Sequence, residues 1–169
     1  MSIAIVPGSF DPMTIGHVNL VERVAGMFDE VFVAVMINPQ KKYRFTLEQK
    51  CELARISCCH ISNVHVIADQ GMLIDLVDKL NANAIVKGIR TLKDYRYEKT
   101  MAEWNLAHNP KAETLYLPSN SVFSRVSSTR VRQYIDEKKS LFRLMTPMAI
   151  EKLVEWGYTC PEKKRTSKH

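Results

Sequence analysis

The stretch Gly8–His17 reads Gly-Ser-Phe-Asp-Pro-Met-Thr-Ile-Gly-His, and its flanks predict a strand that leads through a loop into a helix. The run Ile3–Val6 before it is short and apolar, as is typical of a buried parallel strand. After it, apolar residues recur at helical spacing, which places Gly16 and His17 in the first helical turn. Because the start of a helix offers free N–H groups and a positive dipole end, this stretch predicts a phosphate site suited to a nucleoside triphosphate.

The same alternation of strand and helix continues along the chain. Apolar runs suited to buried strands lie at residues 3–6, 31–37, 64–67, 84–87 and 114–117, and helical patterns lie at 16–27, 46–58, 71–81, 95–108, 127–137 and 147–156. Thr46 and Gln49 predict a capping box, and Pro147 suits a first helical turn. We expect a single α/β domain with a Rossmann-like, doubly wound sheet of five parallel strands and flanking helices, and ligands at the carboxyl ends of the strands.

Composition limits the class of protein. A chain of 169 residues with 46% hydrophobic content can form one core, which we assign to residues 1–157, with a basic, flexible tail at 158–169. The sequence has no long apolar run and no signal peptide, so we expect a cytoplasmic protein without membrane contact. The four cysteines lack metal-ligand spacing, which predicts reduced, mostly buried thiols and no protein-bound metal. The net charge of +6 is scattered, so we expect small anionic substrates rather than nucleic acid.

Two further segments narrow the expected chemistry. One is Val86-Lys87-Gly88-Ile89-Arg90, which continues through Asp94-Tyr95-Arg96-Tyr97-Glu98, and the other is Phe123-Ser124-Arg125-Val126-Ser127-Ser128-Thr129. Together with Gly8–His17 they resemble the phosphopantetheine adenylyltransferase family of the nucleotidylyltransferase superfamily, over about residues 1–157. The resemblance implies transfer of the adenylyl group of ATP to 4'-phosphopantetheine, which gives dephospho-coenzyme A and pyrophosphate in the penultimate step of coenzyme A synthesis. It also implies Mg²⁺ with ATP and a homohexamer of two stacked trimers.

The resemblance assigns three catalytic residues. His17 would contact the ATP phosphates and stabilise charge in the transition state, and its place after a glycine at a helix start favours this role over a structural one. Lys41 follows the strand at 31–37 and would hold the acceptor phosphate, although surface lysines are usually only solvated. Arg90 would contact ATP. Thr14 stands where many superfamily members have histidine, which leaves one phosphate donor fewer.

The remaining site residues also follow from the resemblance. Ser9 would contact both substrates, and Leu73 and Lys87 would contact the acceptor, with Lys87 standing where the family has arginine. Apart from His17, Arg90 and Ser9, the ATP contacts would be Phe10, Gly88, Ile89, Glu98, Phe123, Ser124, Arg125, Val126, Ser127, Ser128 and Thr129. The residues alone leave other interpretations open, since Leu73 fits a buried helical stripe and Glu98 a charge near a helix start.

The chemistry expected of this set is direct transfer. No activated serine, cysteine or carboxylate pair predicts a covalent intermediate, so a phosphate oxygen of the acceptor would attack the α-phosphorus of ATP. The spacing alone predicts only nucleotidyl transfer. Two alternatives stay open: a different phosphate acceptor, such as nicotinamide mononucleotide or glycerol phosphate, and a regulatory module that binds nucleotide without turnover.

Overall fold

A computed structural model describes residues 1–162 and contains one five-stranded parallel sheet. The strands are β1 (Ile3–Gly8), β2 (Glu30–Met36), β3 (Val64–Asp69), β4 (Ala84–Ile89) and β5 (Thr114–Pro118), in the order β3-β2-β1-β4-β5. The helices are α1 (Ile15–Ala25), α2 (Leu47–Cys58), α3 (Leu73–Leu80), α4 (Leu92–His108), α5 (Ser128–Asp136) and α6 (Pro147–Glu155). The predicted doubly wound α/β architecture is therefore confirmed.

The strand order reverses next to β1. The chain runs outward from β1 through β2 to β3, and then returns so that β4 pairs with β1 on its other side. In open α/β sheets, such a reversal leaves a crevice at the carboxyl ends of the two central strands. The loops that follow β1 and β4 meet at this crevice, and both belong to the motifs singled out in the sequence.

Local signals set most helix boundaries. Thr46 and Gln49 form the predicted capping box, with hydrogen bonds of 3.0 and 3.2 Å, and Pro147 opens α6. Helix α4 begins at Leu92, three residues before the predicted start, because the Thr91 hydroxyl accepts the Asp94 N–H at 3.1 Å and caps it there. A short 3₁₀ helix, Ser121–Phe123, was not predicted.

The core has three parts. One lies between the sheet and α1 and α2, and a second lies under α3 on the opposite face. The third joins distant segments, because Phe45 and Leu53 pack with residues of α5 and α6, namely Val131, Ile135, Ala149 and Leu153. Because of this third cluster, α6 completes a core that begins at Phe45, between β2 and α2.

The cysteines follow the prediction in part. Cys51 and Cys58 are buried free thiols, and burial raises the pKa of the Cys58 thiol to about 12, whereas Cys59 is exposed. Beyond residue 157, the Tyr158 ring packs 5.6 Å from the Phe45 ring, and the predicted tail from residue 163 onward lies outside the described residues. Within residues 1–162, every helix is too short or too polar to cross a membrane.

Candidate active site

The carboxyl ends of β1 and β4 open into a cavity of about 610 Å³. His17, Arg90 and Ser128 all border it, although they come from three separate motifs. The other predicted site residues along its wall are Ser9, Phe10, Lys41, Leu73, Lys87, Gly88, Glu98, Phe123, Val126, Ser127 and Thr129. Three predicted contacts lie outside it: Ser124, Arg125 and Ile89, the last of which borders a neighbouring pocket beside Tyr95 and Tyr116.

The turn after β1 is fixed by Phe10. This residue adopts a left-handed conformation with φ of 45°, and its ring is 5% exposed. A Cβ atom on Gly8 would stand 3.0 Å from the Phe10 ring, so a larger residue at this position would press against the ring. The ring edge then contacts the imidazole of His17, with 5.2 Å between centroids. The turn therefore positions His17 through packing as well as through the backbone.

His17 and Thr14 form a capping box at the start of α1. The Thr14 N–H donates to Nδ1 of His17 at 3.0 Å, and the Thr14 hydroxyl accepts the His17 N–H at 3.4 Å. Since Nδ1 accepts a hydrogen bond, the neutral imidazole carries its proton on Nε2. Burial, and then the charge of Arg90, lower the pKa of His17 to about 4. His17 is thus a neutral hydrogen-bond donor at pH 7, and Thr14 has a structural role that the sequence did not predict.

Asp11 ties the turn to two other segments. Its carboxylate is 5% exposed and accepts the backbone N–H groups of Arg44 and Phe45, each at 3.0 Å. The Arg132 guanidinium donates to the backbone carbonyl of Asp11 at 2.7 Å. Arg132 therefore anchors α5 to the phosphate turn.

The three hydroxyls at the start of α5 all have partners within the protein. Ser127 caps the helix by accepting the Arg130 N–H at 3.1 Å, and Ser128 donates to the Pro12 carbonyl at 2.7 Å. Thr129 accepts from Arg132 at 3.2 Å. These bonds hold the start of α5 beside the start of α1, so that two helix N-termini border one cavity. Such a pair is suited to a polyphosphate.

Cationic side chains border the same cavity. Lys87 pairs with Glu98, with 3.2 Å between Nζ and Oε2, so Glu98 is engaged in an ion pair inside the site. Arg90 donates to the Val126 carbonyl at 3.3 Å and lies 3.7 Å from the Asp94 carboxylate. Lys41 is exposed at the cavity rim. Arg23 also borders the cavity, so the arrangement combines helix N-termini, a neutral imidazole and four cations, which suits two phosphorylated ligands.

One side of the cavity is apolar, and most of it was missed from the sequence. Met72, Met101 and Trp104 border the cavity, although each is between 41% and 48% exposed. Helix α4 buries few of its side chains, so the apolar spacing that reveals a core-facing helix is weak there. In the sequence, this apolar surface is indicated by the large apolar residues on the helix that follows the Lys87–Arg90 segment.

Comparisons with known proteins agree with this geometry. The Cytidylyltransferase-like family model matches residues 5–134. A protein of Heliobacterium modesticaldum named phosphopantetheine adenylyltransferase is 38% identical over 155 residues, covering 92% of each chain. One of the same name from Clostridium botulinum is 40% identical over 133 residues, covering 79% of this chain and 84% of that protein.

A solved structure supports the fold. A candidate nicotinate-nucleotide adenylyltransferase of Vibrio parahaemolyticus superimposes with a TM-score of 0.73 and 21% identity, covering 93% of this chain and 94% of that one. At this identity the likeness shows a shared architecture only.

Proposed function

The chain belongs to the cytidylyltransferase-like family and, among its relatives, to the phosphopantetheine adenylyltransferases, and from this we infer that it transfers the adenylyl group of ATP to 4'-phosphopantetheine. The products are dephospho-coenzyme A and pyrophosphate. The observation that carries this inference is the single cavity in which all three sequence motifs meet. Its two helix N-termini are suited to the triphosphate, and its apolar wall is suited to a pantetheine arm.

The reaction needs no protein nucleophile. An oxygen of the acceptor phosphate forms a bond to the α-phosphorus of ATP, and the bond from that phosphorus to the bridging oxygen of the β-phosphate breaks. The electron pair leaves with pyrophosphate. A phosphate monoester is already anionic near neutral pH, so the protein's task is to align the groups and stabilise the developing charge.

His17 and Arg90 supply that stabilisation in our proposal. The Nε2–H of His17 donates to an ATP phosphate oxygen, since Nδ1 is held by the Thr14 N–H. A neutral imidazole is suited to this role because a fixed donor need not lose or gain a proton during the step. Arg90, which borders the same cavity, adds a permanent positive charge.

Lys41 and Lys87 hold the acceptor phosphate. Lys87 keeps the charge of the arginine found in the family but not its two-pronged geometry, and Glu98 pairs with it. The Glu98 carboxylate thus fixes the direction of a flexible ammonium group, which partly replaces the rigidity of a guanidinium. Leu73, Met101 and Trp104 provide an apolar surface for the pantetheine arm.

Mg²⁺ accompanies ATP in this proposal. Among residues 1–162 no group of three or more His, Cys, Asp or Glu side chains is placed to hold a metal ion. The phosphate oxygens of ATP and water would therefore be its ligands, as is usual for this ion.

We also propose a homohexamer. The cytoplasmic location stays a prediction.

An acceptor screen tests the proposal. Pyrophosphate release is measured with ATP, Mg²⁺ and, in turn, 4'-phosphopantetheine, nicotinamide mononucleotide and glycerol phosphate. We expect release with 4'-phosphopantetheine alone. Product with another acceptor would identify a different transferase, and ATP binding without any turnover would identify a regulatory module.

A further inference from the structure

Helix α2 carries a lysine whose charge is buried. Lys50 is 1% exposed, and its ammonium has no hydrogen-bond partner among residues 1–162. Its Nζ atom lies 3.7 Å from the centroid of the Tyr43 ring, which is a close cation–π contact. An ammonium without a hydrogen bond is costly to bury, and a cation–π contact offsets only part of that cost. Burying the Lys50 ammonium therefore does not by itself stabilise the fold.

Tyr43 closes the loop that carries Lys41. Its hydroxyl oxygen accepts the Asn38 N–H at 2.8 Å. The backbone carbonyl of Asn38 accepts the Lys41 N–H at 3.0 Å, and its side-chain oxygen accepts the Gln40 N–H at 2.9 Å. The backbone position of Lys41 is therefore set at Asn38, and Tyr43 holds Asn38 in place.

Several groups act on the Tyr43 phenol. Burial raises its pKa, but the Asn38 backbone, the Ser9 side chain and the charges of Lys50 and Lys41 bring the pKa below its ordinary value. Tyr43 therefore links the buried ammonium of Lys50 to the loop of Lys41. Ser9 and Lys41 both border the cavity, whereas Tyr43 and Lys50 do not.

We propose that Tyr43, seated on the buried ammonium of Lys50, is a positioning residue that holds the loop of Lys41 through Asn38 and so orients the acceptor phosphate. This inference rests on the proposed function, since it assigns the acceptor to that side of the cavity. Tyr43 and Lys50 act through Asn38 and Lys41, and neither borders the cavity.

Two substitutions test the proposal. Tyr43→Phe keeps the ring over Lys50 and removes the hydroxyl, so KM for 4'-phosphopantetheine should rise about three- to tenfold, the range expected for one lost hydrogen bond. Lys50→Met keeps a side chain of similar length without the charge. It should raise the same KM about threefold, while the midpoint of urea unfolding stays the same or increases. KM for ATP should change less than twofold in both variants.

Tyr158→Phe is the matched control, because the Tyr158 ring contacts Arg44 and Phe45 and does not border the cavity. It should leave both KM values unchanged. The proposal is overturned if Tyr43→Phe leaves KM for the acceptor unchanged, if both variants raise KM for ATP equally, or if Lys50→Met lowers the urea midpoint with no effect on KM.

The wild-type rate with 4'-phosphopantetheine is measured first. Its absence would contradict the proposed function, but the positioning role would still be tested by calorimetric titration with inorganic phosphate. A Kd that rises about threefold or more in Tyr43→Phe would then support the positioning role, and an unchanged Kd would overturn it.

Discussion

His17 has a protonation state that follows from its contacts. In the folded protein its pKa is about 4, against an ordinary value of 6.5. Between these two values the unfolded chain binds more protons than the folded one, so this group makes the protein less stable as the pH falls from 6.5 to 4. Above pH 6.5 the imidazole is neutral in both states, and the effect disappears.

We expect NMR titration of the ligand-free protein to show a neutral His17 with its proton on Nε2 at pH 6. The chemical shifts of the two ring nitrogens distinguish this tautomer directly. The imidazole of His60, which is exposed and paired with Glu22, is an internal reference in the same spectra. A His17 pKa at or above 6 would contradict the burial and the Thr14 hydrogen bond described above.

His17→Ala should lower kcat by about 10²- to 10³-fold, as is usual when one donor to a transition-state oxygen is removed. The unfolding free energy should fall by only about 1 kcal/mol, because the change removes one part of a helix cap. Steady-state rates and urea denaturation measure the two effects. His60→Ala should change neither, and matching losses of rate and stability in His17→Ala would instead make its role structural.

At the scale of single elements, the turn after β1 depends on the absence of a side chain at Gly8. Gly8→Ala would push against the buried Phe10 ring, which in turn contacts His17. We expect a destabilisation of about 1–3 kcal/mol, as for overpacked sites, and a lower kcat. Urea denaturation and initial rates measure both.

Gly26→Ala is the control for this change. Gly26 has right-handed helical backbone angles, and its added Cβ would meet nothing closer than 3.6 Å. It should be neutral or stabilising by about 0.4–1 kcal/mol, because alanine restricts the unfolded chain. An equal loss of stability in the two variants would show that the Phe10 ring does not limit the turn.

The contact between Asp11 and the backbone of Arg44 and Phe45 offers a second test. Asp11→Ala leaves the N–H groups of Arg44 and Phe45 without their acceptor, so we expect a loss of about 2–4 kcal/mol in the unfolding free energy. Asp136→Ala removes the exposed partner of the Arg44 side chain and should cost less than about 1 kcal/mol. Chemical denaturation compares them, and similar costs would contradict the buried role of Asp11.

At the scale of the whole molecule, self-association is expected but untested. Large apolar side chains are exposed around the edge strand β5 and the start of α4, with Leu92 at 76%, Leu115 at 44% and Val122 at 76%. Exposed apolar surface of this kind is suited to a contact between copies. Light scattering at micromolar concentration should give six times the chain mass of 19.4 kDa, and a mass of one chain would exclude the hexamer.

The sequence predicts the sheet and the general place of the site because both follow from local patterns. Buried parallel strands are short apolar runs, and the motifs that follow them must gather at their carboxyl ends. Asp11 shows the limit, since its acceptor role depends on amides 33 and 34 residues away. Hydrogen bonds between residues so far apart in the chain cannot be predicted from the local sequence pattern.

The burial of Lys50, by contrast, is predictable from its helical spacing. Lys50 lies four residues before Ala54 and seven before Ser57, so helical spacing puts it on the buried face of α2. A lysine at such a position predicts a buried positive charge that needs a partner within the fold. Its partner Tyr43 was not predictable, because the loop conformation that brings the ring over the ammonium depends on the fold.

The third core cluster has a consequence for biosynthesis. Phe45 and Leu53 are translated early, yet they pack against Ala149 and Leu153 near the other end of the chain. At a ribosomal elongation rate of 5–20 residues per second, roughly 5 to 20 seconds pass before α6 exists to cover them. During that interval the nascent polypeptide exposes apolar surface that a chaperone can bind, so this part of the core forms only after α6 has been translated.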